Sequence, residues 1–405
     1  MTQFRNGGTL YTTRRPAKWP VLIFFIAATF FIAACGTTVA NSNWPGMTAI
    51  GEVVYLAYGP GVLALDINEE AEVWSYRPEE VGGQVQLFAE PSVVEQSVVV
   101  GDYGDSGGFL NPRITVGIYG LDDGEIVSTG PTARPEEVWR NNESAEDRII
   151  ASPLQIGDIV YVGTADNIMM ALDQSNGGTL VWQHETGKPV WSRPAYEDGV
   201  LYMGSMDGLA YALNADDGSQ RWSKDLGGAI SANVVHKNDL LYLNSYNQSA
   251  NALDPGSGDI VWTIDTSAAV WGASAVSEDE LFLVDLNGAV YAVNALTGEK
   301  RWTKELGELV QAGPALGDGV VYVVTAGDPE VDGDERRGSL VALSTVDGEQ
   351  LWEKQIPQPV YTPPLVIGDS VVVALNEGSV LLMEFDGNDG SLTWTYDRPG
   401  NEEEE

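Results

Sequence analysis

The sequence predicts an all-β protein, an eight-bladed β-propeller of four-stranded antiparallel blades. Three observations lead to this prediction. Tryptophans recur about every forty residues, a glycine stands four residues before most of them, and turn-forming pairs separate short apolar runs. Repeats of this length indicate a repeat architecture, and four short strands per repeat are typical of a propeller blade. A chain of 405 residues can therefore contain a single folded domain.

Eight of the twelve tryptophans set the register of the repeat: Trp74, Trp139, Trp182, Trp222, Trp262, Trp302, Trp352 and Trp394. Six of them follow a glycine by four residues: Gly178, Gly218, Gly258, Gly298, Gly348 and Gly390. We expect each tryptophan to have a structural role at the seam between two blades. An indole ring is large and rigid, and its N–H can still reach an acceptor.

The stretch from Val190 to Asp225 shows the plan of one repeat. Its apolar runs predict strands at 190–195, 200–204, 209–213 and 220–224. Asp-Gly pairs lie between these runs, and they favour hairpin turns because glycine adopts positive φ without steric cost. The high glycine content is thus explained by turns.

The junction of the third and fourth strands resembles the tryptophan-docking motif of the pyrroloquinoline-quinone-like (PQQ-like) repeat family, Ala-x-Asp/Asn-x-x-Thr/Asp-Gly-x-x-x-Trp. The segments Ala292–Trp302 and Ala212–Trp222 match it throughout, whereas the last unit has Glu384 in place of the alanine. The resemblance extends from Trp44 to Tyr396. It implies an eight-bladed PQQ-like propeller over residues 44–397.

The family is named for quinone-dependent alcohol dehydrogenases. In those enzymes PQQ lies between a vicinal disulfide and a tryptophan, a calcium ion is held by Glu, Asn and Asp, and an Asp is the base. This chain has one Cys, so it cannot form a vicinal disulfide, and it has two His. We therefore expect no catalytic residues and no cofactor, with a PQQ-dependent oxidoreductase as the less favoured alternative.

The chain is also similar to the BamB-like lipoprotein branch of the family, which shares its signal peptide, eight blades and overall length. This resemblance implies a non-catalytic scaffold for protein–protein interactions, with envelope proteins as partners and a role in assembling outer-membrane β-barrels. The partner-binding loop of that branch carries a Leu-Arg-Gly-type segment. The nearest segment here, Trp191–Pro194, shares only Arg193.

The N-terminus has the pattern of an export signal. Four cations and no acid precede an apolar run at 21–34, which is shorter than the roughly 20 residues of a membrane-spanning helix. The run ends in Ile-Ala-Ala-Cys-Gly and resembles a bacterial lipobox, so Cys35 is the expected lipidation site. The predicted order is a lipoprotein signal peptide at 1–34, a tether at 35–43, the propeller and an acidic tail at 398–405. An uncleaved anchor helix is the alternative.

The charge is strongly negative: 21 cations and 59 acids give −38. Removing residues 1–34 would leave 17 cations against 59 acids, a net charge of −42. Nucleic acid is excluded as a partner, because phosphate binding needs clustered Lys and Arg. We expect an exported protein, a monomer or part of a hetero-complex, anchored by lipid to the periplasmic face of the outer membrane. Without an outer membrane, the anchor would lie on the extracellular face of the plasma membrane.

A candidate binding site lies where the first strand of each blade opens into the central channel. Alignment of the repeats on Pro153, Pro194, Asn233, Ser274, Pro314 and Pro364 places six residues at this mouth: Ile150, Trp191, Ile230, Trp271, Gln311 and Tyr361. With Arg193 they form an aromatic-rich site for a peptide, a strand or a small ligand. The alternative is that these side chains pack under loops between blades.

A second candidate site is the acidic insertion at 327–338. Asp328, Glu330, Asp332 and Asp334 alternate around Gly333 as in a calcium loop, although Ser339 stands where the bidentate Glu would be. A calcium- or ligand-binding cell-surface propeller is therefore the alternative function. A solvated acidic hairpin is the structural alternative.

Overall fold

The computed structural model describes residues 45–78, 85–103, 117–126, 134–142, 144–145, 147–331, 335–376 and 378–397, with the backbone alone at 125 and 126. The predictions for Cys35, the signal peptide, the tether and the acidic tail lie outside these residues. Within the described ranges, no helix combines the length and the apolar character needed to cross a membrane.

The described residues form eight separate four-stranded antiparallel sheets, each from one contiguous stretch of chain. Blade 1 contains β1 Gly46–Ile50, β2 Val53–Ala57, β3 Val62–Asp66 and β4 Ala71–Tyr76. Blade 2 contains β5 Ser92–Val94, β6 Ser97–Gly101, β7 Ile118–Ile126 and β8 Pro135–Asn141. Blade 3 contains β9 Leu154–Ile156, β10 Ile159–Gly163, β11 Ile168–Asp173 and, after a 3-10 turn at Gln174–Asn176, β12 Thr179–Glu185. Blade 4 contains β13 Ala195–Glu197, β14 Val200–Gly204, β15 Leu209–Asn214 and β16 Gln220–Asp225.

The second half of the ring repeats this order. Blade 5 contains β17 Val235–Lys237, β18 Leu240–Ser245, β19 Ser249–Leu253 and β20 Ile260–Asp265. Blade 6 contains β21 Ala275–Val276, β22 Glu280–Val284, β23 Ala289–Asn294 and β24 Lys300–Glu305. Blade 7 contains β25 Ala315–Leu316, β26 Val320–Val324, β27 Gly338–Ser344 and β28 Gln350–Ile356. Blade 8 contains β29 Leu365–Ile367, β30 Ser370–Ala374, β31 Val380–Asp386 and β32 Leu392–Asp397. The prediction of an all-β, eight-bladed propeller is confirmed.

The ring closes by packing and not by strand exchange. The first strands contact one another around the centre, and β1 contacts both β5 and β29. The hydroxyl of Thr362 in blade 8 donates to the carbonyl of Pro45 at 2.7 Å. In blade 4 the second and third strands are buried and apolar, whereas the fourth strand alternates half-buried and exposed residues at the rim. The hydrophobic core therefore lies between neighbouring blades.

One predicted strand boundary is wrong. The apolar run 190–195 was expected to be the first strand of blade 4, but β13 begins at Ala195. The preceding residues bond to neighbouring blades instead. The N–H of Val190 donates to Thr164 in blade 3, and the carbonyl of Arg193 accepts from Val234 in blade 5. A short apolar run in the sequence does not reveal which blade its backbone N–H and carbonyl groups bond to.

Candidate functional site

The indole N–H groups join successive blades through backbone carbonyls. Trp182 in β12 donates to the carbonyl of Ala215 in blade 4 at 2.8 Å. The bond repeats at the next four seams, where the donor and acceptor pairs are Trp222 and Pro255, Trp262 and Ala295, Trp302 and Thr345, and Trp352 and Gly387. Because the acceptors belong to the backbone, the bond places no demand on the side chains of the next blade.

The glycine of each Gly-x-x-x-Trp motif packs on the tryptophan of the preceding blade. A Cβ at Gly218 would lie 2.5 Å from Cε3 of Trp182, and Gly218 has φ +69. Residues 178, 258, 298, 348 and 390 have the same two properties, each against the indole one blade earlier. Sequence spacing showed the glycine and tryptophan of one repeat, but their spatial partners belong to different repeats.

The remaining three tryptophans have different surroundings. Trp139 stacks against Gly178, and on its own blade it lies opposite Gly120, where a Cβ would be 1.9 Å from Nε1. Trp74 packs edge-on against Tyr55, with ring centroids 5.9 Å apart. Trp394 lies opposite Glu384, the residue that replaces the motif alanine, and 6.0 Å from the ring of Tyr396.

The channel mouth contains a different residue of blade 5 from the one predicted. Ile230 is fully buried, and its N–H bonds to Ser205 as that of Val190 bonds to Thr164. Ile230 therefore corresponds to Val190, and Ser231 occupies the position of Trp191. The alignment failed here because blade 5 has Val234 where blade 4 has Pro194.

Phe88 was missed by sequence reasoning. Phe88-Ala-Glu-Pro91 in blade 2 has the same spacing to its proline as Trp191-Ser-Arg-Pro194 in blade 4, so Pro91 could have revealed it. We define the channel mouth as the equivalent residues Phe88, Ile150, Trp191, Ser231, Trp271, Gln311 and Tyr361, all of which are half-buried.

Trp271 is held on the wall between blades 5 and 6. Its ring lies 5.3 Å from that of Tyr246, and its carbonyl accepts the hydroxyl of Ser231 at 3.2 Å. Burial raises the pKa of Tyr246 to about 12, although the nearby Ser231 opposes the shift. The phenol therefore stays protonated at physiological pH.

Two residues beyond each mouth position, polar side chains cluster in four consecutive blades. We call Glu90, Ser152, Arg193 and Asn233 the polar arc. Arg193 Nη1 lies 3.7 Å from Glu90 Oε1, and the Arg193 backbone N–H donates to Asn233 Oδ1 at 2.9 Å. The same positions in blades 6 to 8 are Ala273, Gly313 and Pro363. At this position the side chains of blades 2 to 5 are therefore polar, and those of blades 6 to 8 are not.

The carboxyl of Glu90 is in an unfavourable environment for a charge. Burial raises its pKa, and the neighbouring Arg193 and Ser152 only partly offset that effect. Its side chain keeps 30% of its surface accessible, so the residue is only partly enclosed. Arg193 is thus incompletely neutralised by its partner.

In the described part of the acidic insertion, charged side chains bond to the backbone. The carboxylate of Asp328 accepts the backbone N–H of Glu330 at 2.9 Å, and the guanidinium of Arg336 donates to the carbonyl of Pro329 at 3.0 Å. Among the described residues, no group of three or more His, Cys, Asp or Glu could hold a metal ion. Asp332 and Asp334 lie outside those residues, so the calcium loop stays a prediction.

Fold and seams together define a class: an eight-bladed propeller whose repeats interlock through tryptophan, glycine and a backbone carbonyl. The sequence model of the PQQ-type family described as outer membrane protein assembly factor BamB matches residues 174–308, 246–333 and 286–404, more than half of the chain. The chain therefore belongs to this PQQ-like, BamB-type repeat family.

Individual relatives are distant. The chain is 24% identical to the outer membrane protein assembly factor BamB of Yersinia pestis over 146 residues, which cover 34% of this chain and 37% of that protein. It is 23% identical to the tetrathionate hydrolase of Acidithiobacillus ferrooxidans over 178 residues, 37% of this chain and 34% of that one. The matches thus span about a third of either relative's length. The solved BamB of Moraxella catarrhalis superposes with a TM-score of 0.64 at 19% identity, over 84% of this chain and 95% of that one.

Proposed function

We propose that this chain is a lipid-anchored scaffold of the cell envelope that docks protein partners during the assembly of outer-membrane β-barrel proteins. It acts without catalysis and without a cofactor. The observation that carries the proposal is the match to the BamB family over residues 174–404. The structural likeness to a solved BamB over 84% of this chain agrees with it, since it shows the same fold in the blades that the family match leaves out.

We place the docking site at the channel mouth. Half-buried aromatic rings with polar tips are enriched where proteins bind one another, because they offer a large contact area with little entropy to lose. Trp191 and Trp271 occupy equivalent positions in blades 4 and 6. Arg193 lies two residues after Trp191 and is the residue shared with the partner-binding segment of the lipoprotein branch.

Affinity purification of the full chain from envelope membranes, followed by mass spectrometry, tests the proposal. The wild type is expected to retain components of the β-barrel assembly machinery, and the double variant Trp191→Ala/Trp271→Ala is expected to lose them. The matched control is Val346→Ser, because Val346 is an exposed apolar residue in the β27–β28 turn, at the opposite end of the blades. Thermal unfolding checks that both variants fold. Retention of the same partners by the folded double variant would remove the channel mouth as the docking site.

Two titrations separate the competing functions. The likeness to tetrathionate hydrolase and the quinone-dependent enzymes that give the family its name make an enzyme the alternative to test. Addition of PQQ with Ca²⁺ to the full chain is expected to give no bound-quinone absorbance after gel filtration. Calorimetry with Ca²⁺ alone is expected to give no heat beyond dilution, whereas saturable heat would favour the calcium-binding alternative.

A further inference from the structure

The strongest unexplained feature of the channel is a pair of hydrogen-bond donors without acceptors. Trp191 Nε1 and Arg193 Nε are buried from solvent, and among the described residues neither has a hydrogen-bond partner. A buried donor left unsatisfied costs about 1–3 kcal/mol, and more when the group is charged. Native proteins seldom keep such donors unless an ion, a water or a ligand meets them.

The two donors belong to one short segment. Between them, Ser192 is fully buried, and its hydroxyl is bonded to the backbone of Gly204 in both directions, at 2.8 and 2.9 Å. Ser192 therefore anchors the segment, and the side chains on either side of it stay partly accessible. Trp191 and Arg193 are thus fixed in place before any ligand arrives, which lowers the entropic cost of binding.

Among the described residues, the ion pair of Arg193 is with Glu90, and it is weak. Its 3.7 Å separation from Glu90 is too long for a hydrogen bond, and the Arg193 side chain keeps 35% of its surface accessible. Burial also raises the pKa of Glu90, so the ionised form of this partner is disfavoured. A guanidinium offers five N–H donors in a fork that matches two oxygens of a carboxylate.

We propose that Trp191 and Arg193 bind a carboxylate group in the channel mouth. The inference deepens the proposed function, because it names the chemistry by which this mouth recognises a partner or a ligand. The carboxylate comes either from a free organic acid or from the terminus of a peptide. The overall negative charge of the protein does not prevent this, since charges beyond about 8–10 Å are largely screened at physiological salt.

The test follows the indole N–H resonances of the ¹⁵N-tryptophan-labelled full chain. The probes are sodium acetate, N-acetylphenylalanine and N-acetylphenylalanine amide, at constant ionic strength. The two acids are expected to shift the Trp191 resonance saturably, and the amide is not. Saturation by N-acetylphenylalanine alone would identify a peptide terminus as the source, and saturation by both acids would add free organic acids. An equal response to the amide, or none to any probe, overturns the proposal.

Variants distinguish binding from a structural role. Arg193→Gln is expected to weaken binding of the acids tenfold or more, and Trp191→Phe about three- to tenfold, the range for losing a charged or a neutral hydrogen bond. The matched control, Trp394→Phe, removes an indole N–H from the fourth strand of blade 8, outside the channel mouth, and is expected to leave the affinity unchanged. If Arg193→Gln does not fold, Arg193→Lys keeps the charge without the fork and is expected to bind with intermediate affinity.

For Glu90→Gln, the direction of the change in affinity is the decisive result. The substitution removes the carboxylate that competes for Arg193, so the acids are expected to bind more tightly, whereas weaker binding would contradict a competing role. These titrations use no partner protein. Partner capture that depends on Trp191 and Trp271 without any carboxylate binding would overturn this inference and leave the proposed function standing. Carboxylate binding without partner capture would do the reverse.

Discussion

Seven of the eight seams of this ring fall into two kinds, and the seam between blades 2 and 3 has the contact of Gly178 with the indole of Trp139. Between blades 3 and 8, the five seams that we call repeat seams join an indole N–H to a backbone carbonyl and a glycine to the indole face. At the two closing seams, between blades 8 and 1 and between blades 1 and 2, tyrosines bond to carboxylates instead. Tyr396 donates to Glu72, and Tyr76 donates to Glu137. The family motif therefore joins blades 3 to 8, whereas tyrosine–carboxylate bonds replace it on both sides of blade 1.

The closing seams replace the motif at the same place in the blade. Both tyrosines stand two residues after the tryptophan of their own blade, and both glutamates stand two residues before the tryptophan of the next. Glu70 occupies the glycine position of blade 1 and still adopts φ +52. The backbone of the repeat is thus retained where its side-chain rule is lost. A carboxylate acceptor gives a stronger bond than a carbonyl, but the bond then depends on pH.

The largest effect is expected from Gly218→Ala, at a repeat seam. The new Cβ would collide with Trp182, and the residue would also be held at positive φ. We expect a loss of about 2–5 kcal/mol in the free energy of unfolding, from overpacking together with backbone strain. Urea denaturation followed by tryptophan fluorescence measures it.

Gly157→Ala is the matched control, because Gly157 has φ +57 with nothing within 4 Å of a Cβ. It is expected to cost only about 1–2 kcal/mol, the share due to backbone strain. If the two variants were equally destabilised, the contact between glycine and indole would contribute nothing to the repeat seams.

The next effect concerns a closing seam, where Glu137 accepts hydrogen bonds from Tyr76 and Arg140. Glu137→Gln is expected to lower the free energy of unfolding by about 1–2 kcal/mol at pH 7, because a charged acceptor becomes neutral. Glu349→Gln, at an exposed turn of blade 7, is the control and is expected to change stability by less than about 0.5 kcal/mol.

The pH dependence of the same variant sharpens the comparison. Burial alone would raise the pKa of Glu137, but the bonds from Arg140 and Tyr76 outweigh it and the pKa is lowered. Folding then stabilises the ionised form, so this contribution is present above the pKa of the unfolded chain, near 4.3, and is lost as the pH falls through the folded value. Wild type and Glu137→Gln are expected to converge in stability once the pH falls below the lowered pKa of Glu137 in the folded state. A constant difference down to pH 3 would show that the carboxylate charge is not involved.

The repeat seams could be foreseen from the sequence, and the closing seams could not. A glycine and a tryptophan lie four residues apart in six of the eight repeats, as Gly218 and Trp222 do in blade 4, so the spacing alone marks a repeat. Tyr396 and Glu72 meet only because the ring closes, across 324 residues, and no local pattern connects them. The propeller class was predictable for the same reason, since it depends on periodicity, whereas pairing between distant blades depends on the closed shape.

The channel mouth could be predicted from the sequence only in part. Trp191 and Trp271 were placed by the repeat, and their half-buried surroundings agree with a mouth position. The alignment failed at Ile230, where the proline that marks the register is absent, and it missed Phe88 although Pro91 marks it. The partnership of Arg193 with Glu90 could not be predicted, because blade 3 lies between them in the sequence and only the closed ring brings them to 3.7 Å.

The smallest effect tests whether repeat seams are interchangeable. In blades 5 and 7 a tyrosine of the second strand shares the carbonyl that the indole uses: Tyr242 donates to Ala295 at 3.3 Å and Tyr322 to Gly387 at 3.1 Å. Blade 6 has Phe282, whose ring lies 5.9 Å from Trp302 at 45°, nearly the geometry of Tyr242 on Trp262. Phe282→Tyr should therefore bring a hydroxyl within reach of the carbonyl of Thr345.

We expect Phe282→Tyr to stabilise the protein by about 0.5–1 kcal/mol, the net value of one hydrogen bond, and the reciprocal Tyr242→Phe to destabilise it by a similar amount. Parallel urea denaturation curves measure both. Phe282 is almost completely buried, so a hydroxyl without an acceptor would instead cost about 1–3 kcal/mol. The sign of the change thus decides the matter: a destabilised Phe282→Tyr would mean that the carbonyl of Thr345 cannot accept a second donor, and that even neighbouring repeat seams differ in their spacing.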